Sequence, residues 1–179
     1  MSENTPPAHS YCAYVASLSK DSVHRHYHDT EYGFSVESDD ELFGRLILEI
    51  NQAGLSWSTI LNKKANFRRA FNDFQIERIA AYGANDVHRL MADTGIIRNR
   101  RKIAAVIHNA QQIILLQEKH GSFKQWLNSQ QGLSLEEWIQ LFKRTFKFTG
   151  GEITREFLVS TGYISGAHAP DCPVHSASS

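Results

Sequence analysis

The sequence predicts an all-α protein, and three observations carry this. Apolar residues recur at spacings of three and four along most of the chain after residue 38. No stretch alternates with the period of two that a half-buried strand requires. Ser or Gly stands at the start or end of most periodic stretches, as a cap or a stop. There is no internal repeat and no low-complexity linker, so the 179 residues suit a single domain.

Residues 1–10 are polar and Pro-containing and are expected to form a disordered tail. Residues 11–37 hold His24, His26 and His28 without a sustained period and read as loop with short helical turns. The first clear helix starts at Ser38. Ser38 and Glu41 make an S-x-x-E capping box, and Asp39 and Asp40 lie where the helix dipole favours anions. Its apolar stripe is Leu42, Phe43, Leu46, Ile47, Ile50 and Ala53, and Gly54 ends it. Glu49 follows Leu42 by seven residues and Leu46 by three, so a carboxylate sits on or beside the stripe.

A second helix runs from about Ser56, with Trp57, Ile60, Leu61, Phe67 and Phe71 inward and Lys63, Lys64, Arg68 and Arg69 outward. Asp73 is expected to cap a short helix carrying Ile76 and Ile79, which Gly83 breaks. Asn85 or Asp86 would cap the next, with Val87, Leu90 and Met91 inward. Residues 93–103 open a long helix that Gly121 stops; its inward face is Ile103, Val106, Ile107, Ala110, Ile113 and Ile114. Helices follow at 122–129, 134–147 and 151–159.

The charge balance, 19 basic against 19 acidic residues, argues against a tight non-specific nucleic-acid binder but leaves room for a local basic face. No apolar run approaches a membrane span, and MSENTPPAHS lacks the apolar core of a signal peptide. A soluble cytoplasmic protein is expected. In that compartment its two cysteines, Cys12 and Cys172, are expected as thiols rather than a disulfide.

Three constellations could carry chemistry. The stretch DTGIIRNRRK has the shape of a helical hairpin opening into a basic helix. Backbone N–H groups at such a turn suit a phosphate, although the same pattern fits an ordinary hairpin with a solvated basic face. His168 and Cys172 make an H-x-x-x-C pair. With Cys12 and His28 they form a Cys2His2 set suited to structural zinc, with His24 or His175 as substitutes. Glu49, with Tyr27 and Trp57 flanking it in sequence, could build a pocket for a flat cationic ligand. It could equally sit at the stripe's edge and pair with Arg45, leaving the aromatics as core.

Taken together, YHDTEYG, EINQAGLSW, DTGIIRNRRKI, FKFTG and H-x-x-x-C, in this order, resemble the DNA-3-methyladenine glycosylase I family from roughly Cys12 to Cys172. The resemblance implies a helix-hairpin-helix glycosylase domain over 11–175. One lobe would hold both termini and a structural zinc on Cys12, His28, His168 and Cys172, and the other the hairpin. It implies that Glu49 is the catalytic carboxylate that hydrogen-bonds the methylated adenine, and that Tyr27, Trp57 and Tyr14 complete the base pocket. Thr94, Gly95, Arg98 and Lys102 would grip the phosphate backbone, and Gln52, Gly54 and Leu55 would fill the space left by a flipped nucleotide. The partner is then double-stranded DNA containing alkylated bases; a monomer with no obligate protein partner is expected.

This chain has no Asp between Asp93 and Asp171 and no lysine placed for a Schiff base, which argues for hydrolysis by water that leaves an abasic site, without lyase chemistry. It also departs from the family. Tyr14 and Tyr32 stand where Trp is frequent, His24 where Tyr is frequent, Glu49-Ile50-Asn51 where Glu-Gly-Gln is usual, and Arg155 where an aromatic is expected. The region 122–147 is shorter, and the turn before His168 is one residue longer. Two rival readings are a zinc-stapled DNA-binding module without catalysis and a metal-dependent phosphohydrolase. The second would use His28-Asp29 with His88, Asp93 and His108.

Overall fold

The structure, a computed structural model, describes residues 8–175. Among these residues it contains helices and turns and no strand. Two helices come first, α1 (Ala8–Ala16) and α2 (Val23–Thr30); α3 (Asp39–Gln52) and α4 (Trp57–Ala70) follow. Next are α5 (Ile76–Ala80), α6 (Ala84–Ala92) and the long α7 (Arg100–His120). The chain closes with α8 (Phe123–Ser129), α9 (Leu135–Thr145) and α10 (Gly151–Ser160). Of the expected tail, residues 1–7 lie outside the described residues, and residues 8–10 open α1.

Serine caps start five of the helices; at α2, Ser22 accepts from the His24 N–H at 3.2 Å. Ser38, Ser56, Ser122 and Ser134 each accept from the backbone N–H three residues on, at 3.4, 3.2, 2.9 and 3.3 Å. The complete reciprocal box forms at Ser134, whose N–H donates to Glu137 at 2.7 Å. At Ser38 it is half made, because the Glu41 carboxylate turns away to a two-pronged pair with Arg68, at 2.7 and 2.9 Å.

Helix α3 is the hub. It packs on α4, α5, α7, α8 and α10, and every residue from Leu42 to Asn51 except Arg45 is buried. The expected one-sided stripe is thus a helix enclosed all round. Its first-turn acids serve other helices. Asp39 accepts from the N–H groups of Phe123 and Lys124 at 2.8 and 2.9 Å and from Gln117 at 2.8 Å, capping α8. Asp40 accepts from the N–H of Ile76 at 3.0 Å and so caps α5. Each such cap contributes about 1 kcal/mol.

Asp73, expected to cap α5, lies instead in a left-handed turn in which Asn72, Asp73 and Phe74 all have positive φ. Its place is taken by an acid from another helix, which sequence proximity cannot reveal. Gly83 is the N-cap of α6, and Asp86 acts from the third helical position, accepting from the Gly83 N–H at 3.1 Å. Residues 23–30 form a regular helix where loop with short helical turns was expected. The reason is that its buried face is His24, Tyr27 and His28 rather than aliphatic.

The left-handed turn explains a glycine in mid-helix. A Cβ on Gly44 would lie 2.4 Å from the Phe74 ring, which is fully buried. Gly→Ala inside a helix ordinarily gains about 1 kcal/mol. Here Gly44→Ala is expected to lose about 1–3 kcal/mol through overpacking, read as a lower urea midpoint. Equal or higher stability would show that the ring is not held against α3.

Candidate functional site

Helices α2 and α4 bring Tyr27 and Trp57 together, and Glu49 on α3 lies within electrostatic reach of Tyr27 and Tyr32. The Tyr27 and Trp57 rings meet edge-on with centroids 5.4 Å apart, and Tyr32 lies 5.7 Å from Tyr27. Glu49 is only 5% exposed, and its carboxyl makes no hydrogen bond or ion pair among the described residues. Arg45, one turn away, does not neutralise it by contact. Its Nη2 donates to the Glu31 carbonyl at 3.3 Å and lies 3.5 Å from the Glu31 carboxylate, and the guanidinium sits 5.7 Å from the Tyr27 ring centre. Burial pushes the Glu49 carboxyl well above the usual range. Glu156 raises it further, Arg45 works against this, and Glu152 adds to it. Burial likewise raises Tyr27 and Tyr32 far enough to keep both as neutral phenols.

Around this centre lie residues that sequence reasoning passed over. Tyr11, not Tyr14, is the α1 ring that reaches inward, with centroids 5.4 Å from Tyr32 and 5.7 Å from His28. Tyr14 is 44% exposed and lies edge-on against His24 at 5.3 Å. His24 bridges Tyr11 Oη at 3.1 Å and Ser58 Oγ at 2.6 Å, and burial lowers its pKa, so the ring is neutral. Glu156, on α10, is largely buried and pairs with Arg155 at 2.7 Å. Nothing in the local sequence marks it, because its neighbourhood to Glu49 arises only from the packing of α10 on α3.

Cys12, His28, His168 and Cys172 converge, their ligand atoms all within 4.8 Å of one another. A tetrahedral ion with nitrogen and sulfur ligands has edges of about 3.3–3.8 Å. Here His28 Nε2 lies 3.1 Å from His168 Nδ1, 3.4 Å from Cys12 Sγ and 3.7 Å from Cys172 Sγ. His168 Nδ1 is 3.7 Å from Cys172 Sγ and 4.0 Å from Cys12 Sγ. The tautomers follow from the outer partners. His28 Nδ1–H donates to Asp29 at 2.7 Å, and His168 Nε2–H donates to the Tyr32 carbonyl at 2.6 Å, so the lone pairs of both rings point into the cluster. The four residues can hold a metal ion. Neither His24 nor His175 belongs to the set. His28-Asp29 is thus the outer support of this cluster, and no cluster among the described residues includes His88, Asp93 or His108.

The connection from α6 to α7 is a tight hairpin. Asp93 Oδ1 accepts from the Gly95 N–H at 2.8 Å, and Asn99 caps α7 by accepting from Arg101 and Lys102 at 3.0 and 3.1 Å. Thr94, Arg98, Arg100 and Arg101 are exposed and Gly95 is half-buried. Lys102 does not join this face. It is buried, and its Nζ donates to the carbonyls of Asn51 and Ala53 at 2.9 and 2.8 Å, where the end of α3 leaves acceptors unpaired. At that end, the turn 52–55 closes through Leu55 N–H to Gln52 O at 2.7 Å and Gln52 Nε2 to Leu55 O at 3.0 Å. Gly54 takes φ +80 there, and Leu55 is 38% exposed.

Fold and site define a helical-hairpin protein with a buried acid near aromatic rings and a Cys2His2 cluster able to hold a metal ion, drawn from α1, α2 and residues 168–172. The chain belongs to the methyladenine glycosylase family, whose model matches residues 17–140. It is 34% identical over 174 residues to DNA-3-methyladenine glycosylase 1 of Escherichia coli (strain K12), covering 87% of this chain and 92% of that one. The DNA-3-methyladenine glycosylase of Haemophilus influenzae is 30% identical over 175 residues, covering 87% and 94%. Among solved structures, 3-methyladenine DNA glycosylase I from Staphylococcus aureus superposes with a TM-score of 0.81 at 34% identity, over 93% of this chain and 96% of that one. A point variant of 3-methyladenine DNA glycosylase I in complex with 3-methyladenine gives 0.80 at 33% identity, over 92% and 96%.

The raised pKa of Glu49 has a stability consequence. In the unfolded chain a glutamate titrates near ~4.3, whereas in the folded chain Glu49 keeps its proton to higher pH. Between these values the folded state binds the additional proton, so rising pH lowers stability. The contribution is complete below the unfolded value and is lost as pH rises through the folded one. Glu49→Gln is therefore expected to be more stable than the parent at about pH 8 and equal to it near pH ~4, measured by urea unfolding across that range. A variant less stable at the alkaline end would show that the carboxylate is stabilised rather than strained by its site.

Proposed function

We propose that this protein is a monofunctional DNA-3-methyladenine glycosylase that flips the alkylated base out of duplex DNA and hydrolyses its N-glycosidic bond. The observation that carries this is a buried carboxyl with no hydrogen bond of its own, within electrostatic reach of Tyr27 and Tyr32, with Trp57 edge-on to Tyr27. A buried acid without a partner is costly unless a ligand supplies one. 3-Methyladenine is positively charged while attached to its sugar. A flat cation of this kind gains on the order of 0.5–2 kcal/mol against aromatic faces. Its charge also offsets the burial that keeps Glu49 protonated, so the carboxylate can ionise and accept charge-assisted hydrogen bonds. The cation is already a good leaving group, and water completes the hydrolysis without a Schiff base.

The exposed hairpin, with Thr94, Gly95 and Arg98, is suited to the phosphate backbone. The turn bearing Gln52, Gly54 and exposed Leu55 suits insertion where the base has left the stack. Tyr14 contributes from the rim, against His24, rather than from the centre. The ligand set Cys12, His28, His168 and Cys172 is read as a structural zinc site. A bound zinc supplies four-fold tethering of α1, α2 and the C-terminal tail, and offers no open position for chemistry. Burial raises the Cys12 thiol, so the thiolate form depends on the cation, and metal binding and folding are coupled.

Two experiments test this reading. Methylated duplex DNA incubated with the protein should release free 3-methyladenine, identified by chromatography. Glu49→Gln should slow release about 10- to 100-fold, the equivalent of one hydrogen bond to a charged group. Unchanged release by the variant would remove Glu49 from the mechanism. Separately, metal analysis should find one zinc per chain, and a strong chelator should lower the melting temperature by several degrees. Identical melting with and without chelator would exclude the clasp.

A further inference from the structure

Lys102 is the member of the basic run that does not face outward. Arg98, Arg100 and Arg101 are exposed, whereas Lys102 is 5% exposed. No carboxylate pairs with it among the described residues. Its partners are two carbonyls, Asn51 O at 2.9 Å and Ala53 O at 2.8 Å. Both lie at the negative end of α3, where the backbone breaks from helix at Ala53, with φ −51 and ψ 118. Burial without an anion lowers the lysine's pKa, so its position is held by geometry rather than by an ion pair.

The placement joins three parts. Lys102 stands in the first turn of α7, immediately after the hairpin and held at its own N–H by the Asn99 cap. Its ammonium grips the end of the helix that carries Glu49. The same two bonds anchor the start of the turn that presents Leu55. A cap from within α3 would satisfy the same carbonyls but would not fix their distance from the hairpin.

We propose that Lys102 is a positioning residue that couples the hairpin's hold on the DNA backbone to the placement of the Gln52–Leu55 turn and Glu49, so that backbone binding drives base extrusion. This rests on the glycosylase reading above. The coupling matters when a base must be taken out of a duplex. It matters little when the base is already accessible, because then the turn has no stack to replace.

The test compares the parent with Lys102→Met, which keeps length and burial but not the donors, and with Lys102→Arg, which keeps charge and donors. Single-turnover release of 3-methyladenine is measured from one methylated oligonucleotide, as duplex and as single strand. Affinity for the free base is followed by tryptophan fluorescence. Lys102→Met is expected to slow release from duplex at least tenfold, while single-strand release and free-base affinity change less than threefold, and Lys102→Arg should recover most of the duplex rate. An equal loss on both substrates, or an unchanged duplex rate, would overturn the coupling. If Lys102→Met does not fold, Lys102→Gln, which keeps an N–H donor group on a shorter, neutral side chain, must show the same duplex-selective loss at smaller size. A parent inactive on every DNA would instead remove the glycosylase reading. The coupling would then stand or fall on whether Lys102→Met lowers the parent's preference for duplex containing an abasic analogue over intact duplex.

Discussion

A helix enclosed on every side cannot use water to satisfy its ends or its polar side chains, and the rest of this structure depends on how α3 meets that constraint. At its start the demand runs outward. Asp39 and Asp40 accept from N–H groups at the N-termini of α8 and α5, so two distant helices are located by one turn. At its end the carbonyls are met by Lys102 from α7. In its last turn Asn51 back-bonds to the Ile47 carbonyl at 2.8 Å, while the Glu49 carboxyl has no hydrogen bond among the described residues. On this buried helix the unpartnered groups are the Glu49 carboxyl and Nη1 of Arg45, one turn away, and a buried carboxyl without a partner is where a ligand can contribute most.

The aromatic wall around Glu49 needs α2 to stay in place, and α2 has little aliphatic surface to hold it. Its buried face is His24, Tyr27 and His28. Polar contacts from both ends of the chain compensate. His28 faces Cys12, His168 and Cys172, and His168 donates to the carbonyl of Tyr32, next to the aromatic wall. The metal-competent cluster and the aromatic rings thus share α2, with His28 turned to one and Tyr27, one residue earlier, turned to the other. Stability at the termini and the shape of the wall are linked through that helix.

Charge is distributed unevenly despite its zero sum. Lys64 pairs with Glu31, Arg68 with Glu41, Arg89 with Asp86 and Lys124 with Glu37. Arg98, Arg100 and Arg101 make no ion pair among the described residues and cluster beside the hairpin. A protein of zero net charge can present a basic face in this way, with several of its other cations paired to acids elsewhere.

The amino-acid sequence by itself determined the all-helical class, the Ser38 cap, the helix starts near residues 56, 122 and 134, the hairpin, and the family, because these rest on local periodicity, local hydrogen bonding and linear motifs. It also held the four metal-competent residues, although spacing alone left His24 and His175 as equals of the rest. Only the tertiary structure decided which partner each polar group takes. It turned Lys102 inward and Glu41 toward Arg68, replaced Asp73 by Asp40 as the cap of α5, and set Tyr11 rather than Tyr14 against Tyr32. It also brought Glu156 to bear on Glu49 across more than a hundred residues of chain. The physical reason is common to all of these. A polar side chain's partner is selected by which unsatisfied group is buried nearest in space, and for an enclosed helix that group comes from distant sequence.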